Sequence, residues 1–323
     1  MADGIAIIGA GMAGATCART LADAGARVAV FDKGRSVGGR LAQRRSDGAT
    51  FDHGAQYLTA RDPALVAAVE RWRAAGLVAG WPEAASSAGD PVLVGVPAMN
   101  APVKDLLAGL AVTTGFRAAG ISSVDGNWLV RGEDEVVHGP FAALVLAVPA
   151  PQAVDLLATV NQGRAAELVL RLGGVRMAPC WSAMAAFAGP LPVASSTLRG
   201  EGEIVWAARN SGKPGRDGPE SWTIHAGPDW SRANLERRPE EVAPELLRAF
   251  AALAGIEPPV ARHLAAHRWR FALVERPLGQ PCLHDPALRL GLCGDWCLGP
   301  RVEAAFLSGR AMAAALAKGG APL

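Results

Sequence analysis

The stretch "GIAIIGAGMAGATCARTLADAGARVAVFD", residues 4–32, constrains this chain more than any other. Ile5–Ile8 carries no polar side chain, as a parallel strand covered on both faces requires. A glycine-rich turn follows, then a small-residue helix over 13–24 that stops at Gly25, then a second strand over 27–31 that ends on Asp32. Strand, turn, helix and strand in this order make one βαβ unit of the dinucleotide-binding kind. Gly9, Gly11 and Gly14 have the GxGxxG spacing. The first permits a tight turn, the second lets backbone approach a pyrophosphate, and the third lets helix and strand pack closely. Met12 and Ala13 open the helix, whose N-terminal N–H groups attract phosphate. Asp32 stands 18 positions beyond Gly14, where a carboxylate accepts from a ribose 2′-OH and repels a 2′-phosphate. The expected nucleotide is therefore FAD or NAD, not NADP. Lys33 adjoins Asp32, and "GRSVGGRL" follows, with Gly39 allowing backbone beside a cofactor and Arg40 neutralising pyrophosphate charge.

The remainder predicts an α/β protein in which a β-rich domain interrupts the Rossmann-like one. Val112 to Val137 reads as an antiparallel meander, and "FAALVLAVPAPQAVDLL" as a buried strand, a proline stop and a short helix. "EIVWAARN" and "ESWTIHAG" are strands joined by "SGKPGRDGP", and "EEVAPELLRAFAALAG" is an amphipathic helix. "LRLGLCGDW" returns to a buried strand before a closing helix that begins near Pro300. These segments assign residues 1–60, 95–160 and 285–323 to a discontinuous dinucleotide domain. Residues 61–94 and 161–284 form an inserted α+β substrate domain on an antiparallel sheet. With a formal net charge of +2, no broad basic field invites nucleic acid. The N-terminus lacks a signal peptide's basic region and no apolar run spans a bilayer, so a cytoplasmic protein without a membrane partner is expected.

Further candidates gather in three places. Near the first domain's second arm, Gly54 and Ala55 give close backbone approach, Gln56 offers a donor and an acceptor, and Tyr57 is the chain's one tyrosine. In "LGLCGDWCLGPR", Gly294 and Asp295 end a strand, Asp295 suits a ribityl hydroxyl, and the helix start at Arg301 and Val302 suits a negatively charged carbonyl oxygen. Cys293 and Cys297 have no second ligand pair at zinc-like spacing, and three residues separate them, so no metal site and no dithiol pair is expected. In the inserted domain, Trp206, Ala208 and Asn210 share one strand face with Arg209 on the other, and Thr223 shares a face with His225. Trp269 alternates with arginines on a later strand, and Lys213 lies in the hairpin loop. Aromatic surface with amide and cationic groups suits a nicotinamide ring bearing phosphate. His53 reads as structural, with no partner in sequence for a dyad.

Residues 5–40 resemble the flavin-binding signature of the monoamine-oxidase-like flavoprotein superfamily, with Asp32 where glutamate is usual and Gln43 where threonine is usual. More specifically, "FDKGRSVGGRLAQRR", "FDHGAQYLTARD", "ARNSGKPG", "HAGPDWSRANLE", "HRWRFAL" and "CGDWCLGPRVEAAFLSG" resemble the bacterial renalases over almost the full length. The resemblance implies noncovalent FAD and oxidation of misreduced 2- and 6-dihydro isomers of NAD(P), with hydride passing to flavin N5 and dioxygen leaving as hydrogen peroxide. Asn210, His225, Trp269, Arg209 and Lys213 are the candidates for work on that substrate. The rivals are an amine oxidase or desaturase on the same fold, and a flavin-binding protein without turnover.

Overall fold

The computed structural model describes residues 4–84, 89–160 and 163–318. The chain divides into two compact units: Met1–Gly39 with Val103–Arg176 and Val274–Leu323, and Arg40–Pro102 with Met177–Leu273.

The first unit is built on a six-stranded sheet. Its order is Leu283–Asp285, Leu290–Leu292, Ala143–Leu146, Ile5–Ile8, Val28–Asp32, Ala111–Thr114, with only the first pairing antiparallel. The central strand is buried at all four positions, which its unbroken apolar sequence requires. Helix Met12–Asp23 follows it, and Gly25 takes the left-handed backbone that ends the turn. The closing helix Val302–Lys318 packs on that first helix. A Cβ at Gly309 would lie 2.2 Å from the Ala13 carbonyl oxygen, so only glycine lets the two backbones approach so closely. This helix starts two residues beyond Pro300. The expected meander forms from Ala118–Val124, Asn127–Gly132 and Val137–Phe141. Its first expected segment does not join it: Val112 and Thr113 pair in parallel with Val30 and Phe31 and extend the main sheet.

The second unit is built on a five-stranded antiparallel sheet, Thr197–Arg199, Ile204–Arg209, Ser221–Ala226, Arg176–Ala186 and His263–Arg276, of which only Arg176 and residues 274–276 fall in the first. Helix Pro239–Ala254 covers one face, and Trp181, Ala207, Trp222, Ile224, Leu246 and Phe250 fill the core between them. Period-2 alternation sends the neighbouring side chains, among them Ser182, Trp206, Thr223 and His225, to the opposite face.

The units correct the domain boundaries expected from sequence. Residues 40–60 and 95–102 belong to the second unit, because Ala49 and Phe51 of the Ala49–Asp52 strand pack with Met184 and Ala186, and Asp52 pairs with Lys213 and Arg216. Residues 163–176 and 274–284 belong to the first unit: helix Gly163–Leu172 packs on helix Ala150–Leu157, and Leu283 opens the edge strand of the parallel sheet. Among the described residues, no helix is long and apolar enough to cross a membrane.

Candidate functional site

In the first unit, the three glycines of the turn have different surroundings. Gly9 has φ +111°, and a Cβ there would lie 2.4 Å from the Ala147 carbonyl oxygen. At Gly14 a Cβ would fall 1.9 Å from the Gly9 carbonyl oxygen. A Cβ at Gly11 would meet nothing within 4 Å. The open space therefore sits at the middle glycine, at the start of a helix that has no side-chain cap and no acid in its first turn. The free N–H groups and positive dipole end at Met12 and Ala13 fit a pyrophosphate. Asp32 has a task in the turn itself. Its Oδ2 accepts from the Ala10 N–H at 2.6 Å and its Oδ1 from the Gly34 N–H at 2.6 Å. It thus fixes the glycine turn to the second strand, and each oxygen keeps a lone pair for a ribose hydroxyl. The Gly38 N–H donates to the Ala10 carbonyl at 2.9 Å, and Gly39, at φ +53°, would bring a Cβ to 3.4 Å from Gly11 Cα. The 33–39 segment so folds back over the turn, with Lys33 exposed beside it.

The 290s turn lies in the same unit. Gly294 donates its N–H to Ser308 Oγ at 3.0 Å, and a Cβ on it would lie 2.4 Å from Trp296 Nε1. Asp295 is buried, and its Oδ1 accepts from the Trp296 N–H at 2.9 Å. Trp296, fully buried, donates its indole N–H to the Val148 carbonyl at 3.0 Å. Arg301 is paired at 3.1 Å with the buried Glu303, one place beyond Val302 in the first helical turn. Cys293 and Cys297 are free and wholly buried. Its hydrogen bond to Cys17, together with burial, holds the Cys293 thiol well above its ordinary value, and burial does the same for Cys297. Both are therefore neutral core thiols. Among the described residues, no group of three or more His, Cys, Asp or Glu side chains is placed to hold a metal ion.

The second unit contains a buried ionic cluster. Asp52, 1% exposed, accepts on Oδ2 from Arg216 Nη2 at 2.6 Å and from Lys213 Nζ at 3.2 Å, and on Oδ1 from the Met99 N–H at 3.1 Å. Although burial alone would raise the Asp52 pKa, Lys213 and Arg216 hold it below the usual carboxylate value. Burial, with Arg216 beside it, pulls Lys213 down to about 8 against the attraction of Asp52. Two cations against one carboxylate leave the cluster net positive while Lys213 is protonated. Gln56 Oε1 accepts from Lys213 Nζ at 2.9 Å, while its Nε2 donates to the carbonyls of Gly54, at 3.0 Å, and Asp52. Asn210 Oδ1 accepts from the Asp52 N–H at 3.1 Å, and its Nδ2 donates to the Thr50 carbonyl. Both amides are thus occupied in positioning the ion cluster. The strand ends at Arg209, so Asn210 sits in a short 3-10 turn instead of continuing the face of Trp206 and Ala208. Gly54 is required by close packing, since its Cβ would lie 2.0 Å from the Arg40 carbonyl oxygen, which accepts from the Ala55 N–H at 2.8 Å. Arg40 itself donates from Nη1 to the Ala272 carbonyl at 3.0 Å.

Next in the same unit is a histidine–tryptophan cluster. His53 stacks on Trp269 at 5.0 Å and 29°, and His267 meets Trp269 edge-on at 4.4 Å. Trp269 donates its indole N–H to the His53 carbonyl at 2.9 Å. Burial, reinforced by His267 and Arg44, lowers His53 to about 3. Burial lowers His267 to about 4, with Arg44 and Arg268 adding to it, and lowers His225 to about 4, with Lys213 adding to it. All three are neutral at neutral pH. Tyr57 and Trp206 form a tilted pair at 5.7 Å. Of the candidates in the inserted segment, Lys213, Asn210, His225 and Trp269 come together here with Gln56. Arg209 does not join them: its Nε donates to Glu220 Oε1 at 3.0 Å and its guanidinium lies 4.9 Å from the centre of the Trp222 ring, on the helix-covered face. Sequence reasoning missed Asp52 and Arg216, and took His53 as isolated; His267 is on the strand face it shares with Trp269, as the alternation with Arg268 and Arg270 implies. The signal available was a charged residue within each of two short turn-flanked segments, "FDHGAQ" and "KPGR".

Residues 7–72 match the family model of the NAD(P)-binding Rossmann-like domain. Over 50 residues the chain is 48% identical to a 4,4'-diapophytoene desaturase (4,4'-diaponeurosporene-forming) of Staphylococcus haemolyticus strain JCSC1435, a match covering 16% of this chain and 10% of the relative. Its whole length is similar in structure to a protein assigned as a protoporphyrinogen oxidase from Exiguobacterium sp. 255-15, with TM-score 0.74, 12% identity and 98% of each chain covered. It is also similar to putrescine oxidase bound to putrescine, with TM-score 0.67, 14% identity, 98% of this chain and 99% of that one. The chain therefore has a Rossmann-like α/β fold with added antiparallel sheets, in common with these oxidases.

Proposed function

We propose that the chain is an FAD-dependent oxidase of the renalase type, returning the 2- and 6-dihydro isomers of NAD(P) to NAD(P)+. The observation that carries this reading is the charge of the second unit's buried polar groups. Three histidines are neutral, and Asp52 is outnumbered by Lys213 and Arg216. Such surroundings favour a neutral ring with an anionic tail and disfavour an alkylammonium ion.

The chemistry that bound FAD would supply is hydride acceptance, with dioxygen as the final oxidant and hydrogen peroxide as its product. The open space at Gly11 and the helix start at Met12 and Ala13 would hold the pyrophosphate, Asp32 would hold the ribose, and Asp295 would take a ribityl hydroxyl. Gln56 and Asn210 keep Lys213 and Asp52 in place as positioning residues. His225 and Trp269 orient the substrate ring and exclude water. No strong base is needed, because the ring regains aromaticity as hydride leaves, and alignment supplies most of the catalysis.

A second reading is an amine oxidase or desaturase, favoured by the Tyr57–Trp206 pair as two walls of an aromatic cage. Peroxide production in air separates them. Purified yellow protein is assayed with 2- and 6-dihydro-NAD(P), ordinary NADH, putrescine and other amines. The renalase reading expects peroxide from the dihydro isomers and little from the rest. Turnover of an amine alone would replace it with the second reading. FAD uptake with no turnover of any compound would make the chain a binding protein.

A further inference from the structure

One row of the second unit's sheet is left unfinished. His225 is the cross-strand partner of both Ser182 and Trp206, and Trp206 is in turn the partner of Arg199. Thr223 lies two residues from His225 on the same face. Ser182 Oγ, Thr223 Oγ1, His225 Nε2 and Trp206 Nε1 are all buried, and none has a hydrogen-bond partner among the described residues. Buried polar groups are ordinarily paired, so four adjacent exceptions on one face need a reason. The opposite face of the same strands is an ordinary apolar core.

The chemistry of the row is specific. The other nitrogen of His225 is engaged with the His53 backbone, which leaves Nε2 of a neutral ring as an acceptor. The indole of Trp206 only donates, and the two hydroxyls do either. A ligand group that serves this row is uncharged and both donates and accepts. A primary carboxamide has that pattern; a carboxylate cannot donate to His225, and an ammonium cannot accept from Trp206. At the outer end, the exposed Arg199 guanidinium lies over the Trp206 ring, 4.5 Å from its centre.

We propose that Ser182, Thr223, His225 and Trp206 form a carboxamide-recognition row, with Arg199 reading an anionic group on the remainder of the same ligand. The assignment deepens the dihydronicotinamide reading and rests on it for the identity of the natural substrate.

Its test uses the FAD-loaded protein and binding without turnover. Benzamide, benzoate and nicotinamide mononucleotide are titrated calorimetrically into the parent, Ser182→Ala, Thr223→Val and Arg199→Gln, and the Tm of each ligand-free holoprotein is measured. Removing an unpaired buried hydroxyl relieves the free protein, so the first two variants keep or raise Tm. Each weakens benzamide about tenfold, the effect of one lost hydrogen bond to a buried group, and benzoate binds poorly throughout. Arg199→Gln weakens the mononucleotide and leaves benzamide unchanged. A fall in Tm for Ser182→Ala and Thr223→Val would make the hydroxyls structural and overturn the row. Equal benzamide affinity in parent and both variants, or equal binding of benzoate and benzamide, would overturn it too. An unchanged mononucleotide affinity in Arg199→Gln would remove Arg199 from the assignment. If the dihydro isomers are not oxidised while benzamide still depends on these residues, the proposed reaction fails and the row stands.

Discussion

Gly11 and Gly14 are three positions apart and answer to different constraints. Gly14→Ala drives a Cβ to 1.9 Å from backbone oxygen. It is expected to destabilise the protein by about 3 kcal/mol or more, as overpacking against an unyielding neighbour does, read as a lower denaturant midpoint. Gly11→Ala meets open space. Its unfolding midpoint without FAD should equal the parent's, while FAD affinity drops, checked by fluorescence titration of the apoprotein. Asp52 shows the limit of reading residues singly. Its partners Lys213 and Arg216 are 161 and 164 positions away, a distance across which no sequence period operates. Asp52→Asn leaves two buried cations uncompensated and should cost about 3–5 kcal/mol. The neutral histidines set the acid response. His53, His225 and His267 have folded pKa values of about 3, 4 and 4, below the ordinary 6.5. Between those values and 6.5 the unfolded chain binds more protons, so stability rises with pH across that window and is lost as pH falls below about 6.5. Asp52, held low by its cations, adds a further loss at more acidic pH. Denaturant midpoints measured from pH 7.5 down to pH 4.5 should fall steadily, and less steeply in His225→Gln. A flat profile would contradict the buried, neutral state of these rings.

Among the elements, those with a strict pattern were legible. The apolar Ile5–Ile8 run could only be a doubly covered strand, and the 3.6-residue period of "EEVAPELLRAFAALAG" produced the helix that carries Phe250 into the core. Segment Ala111–Thr114 was misassigned because a short β-rich run does not state its partner: the choice between the meander and Val28–Asp32 is made by register in three dimensions. The closing helix was expected, but its contact with the first helix was not, since Gly309 looks like any helical glycine until Ala13 is set against it. Gly309→Ala places a methyl 2.2 Å from the Ala13 carbonyl oxygen, next to the nucleotide-binding helix start. The variant is expected to lose stability and to retain less FAD through purification, measured by its flavin-to-protein absorbance ratio.

For the whole molecule, the dinucleotide turn and the insertion were readable, and the seams between units were not. A boundary lies where contacts are few, and contacts such as Phe51 with Met184 are invisible in one dimension. The same holds for the candidate site. Lys213, His225 and Trp269 stood out by residue type, whereas Asp52, Arg216 and the unpaired row through Ser182 emerge only when distant strands are adjacent. The central claim is that this net-positive, neutral-histidine environment serves oxidation of a dihydronicotinamide through bound FAD. Anaerobic rapid mixing of the yellow holoprotein with one equivalent of 2- or 6-dihydro-NAD(P) tests it most directly. The account predicts complete loss of the oxidised flavin absorbance and formation of one equivalent of NAD(P)+. Absorbance that persists with both isomers, and falls with an amine instead, would contradict it.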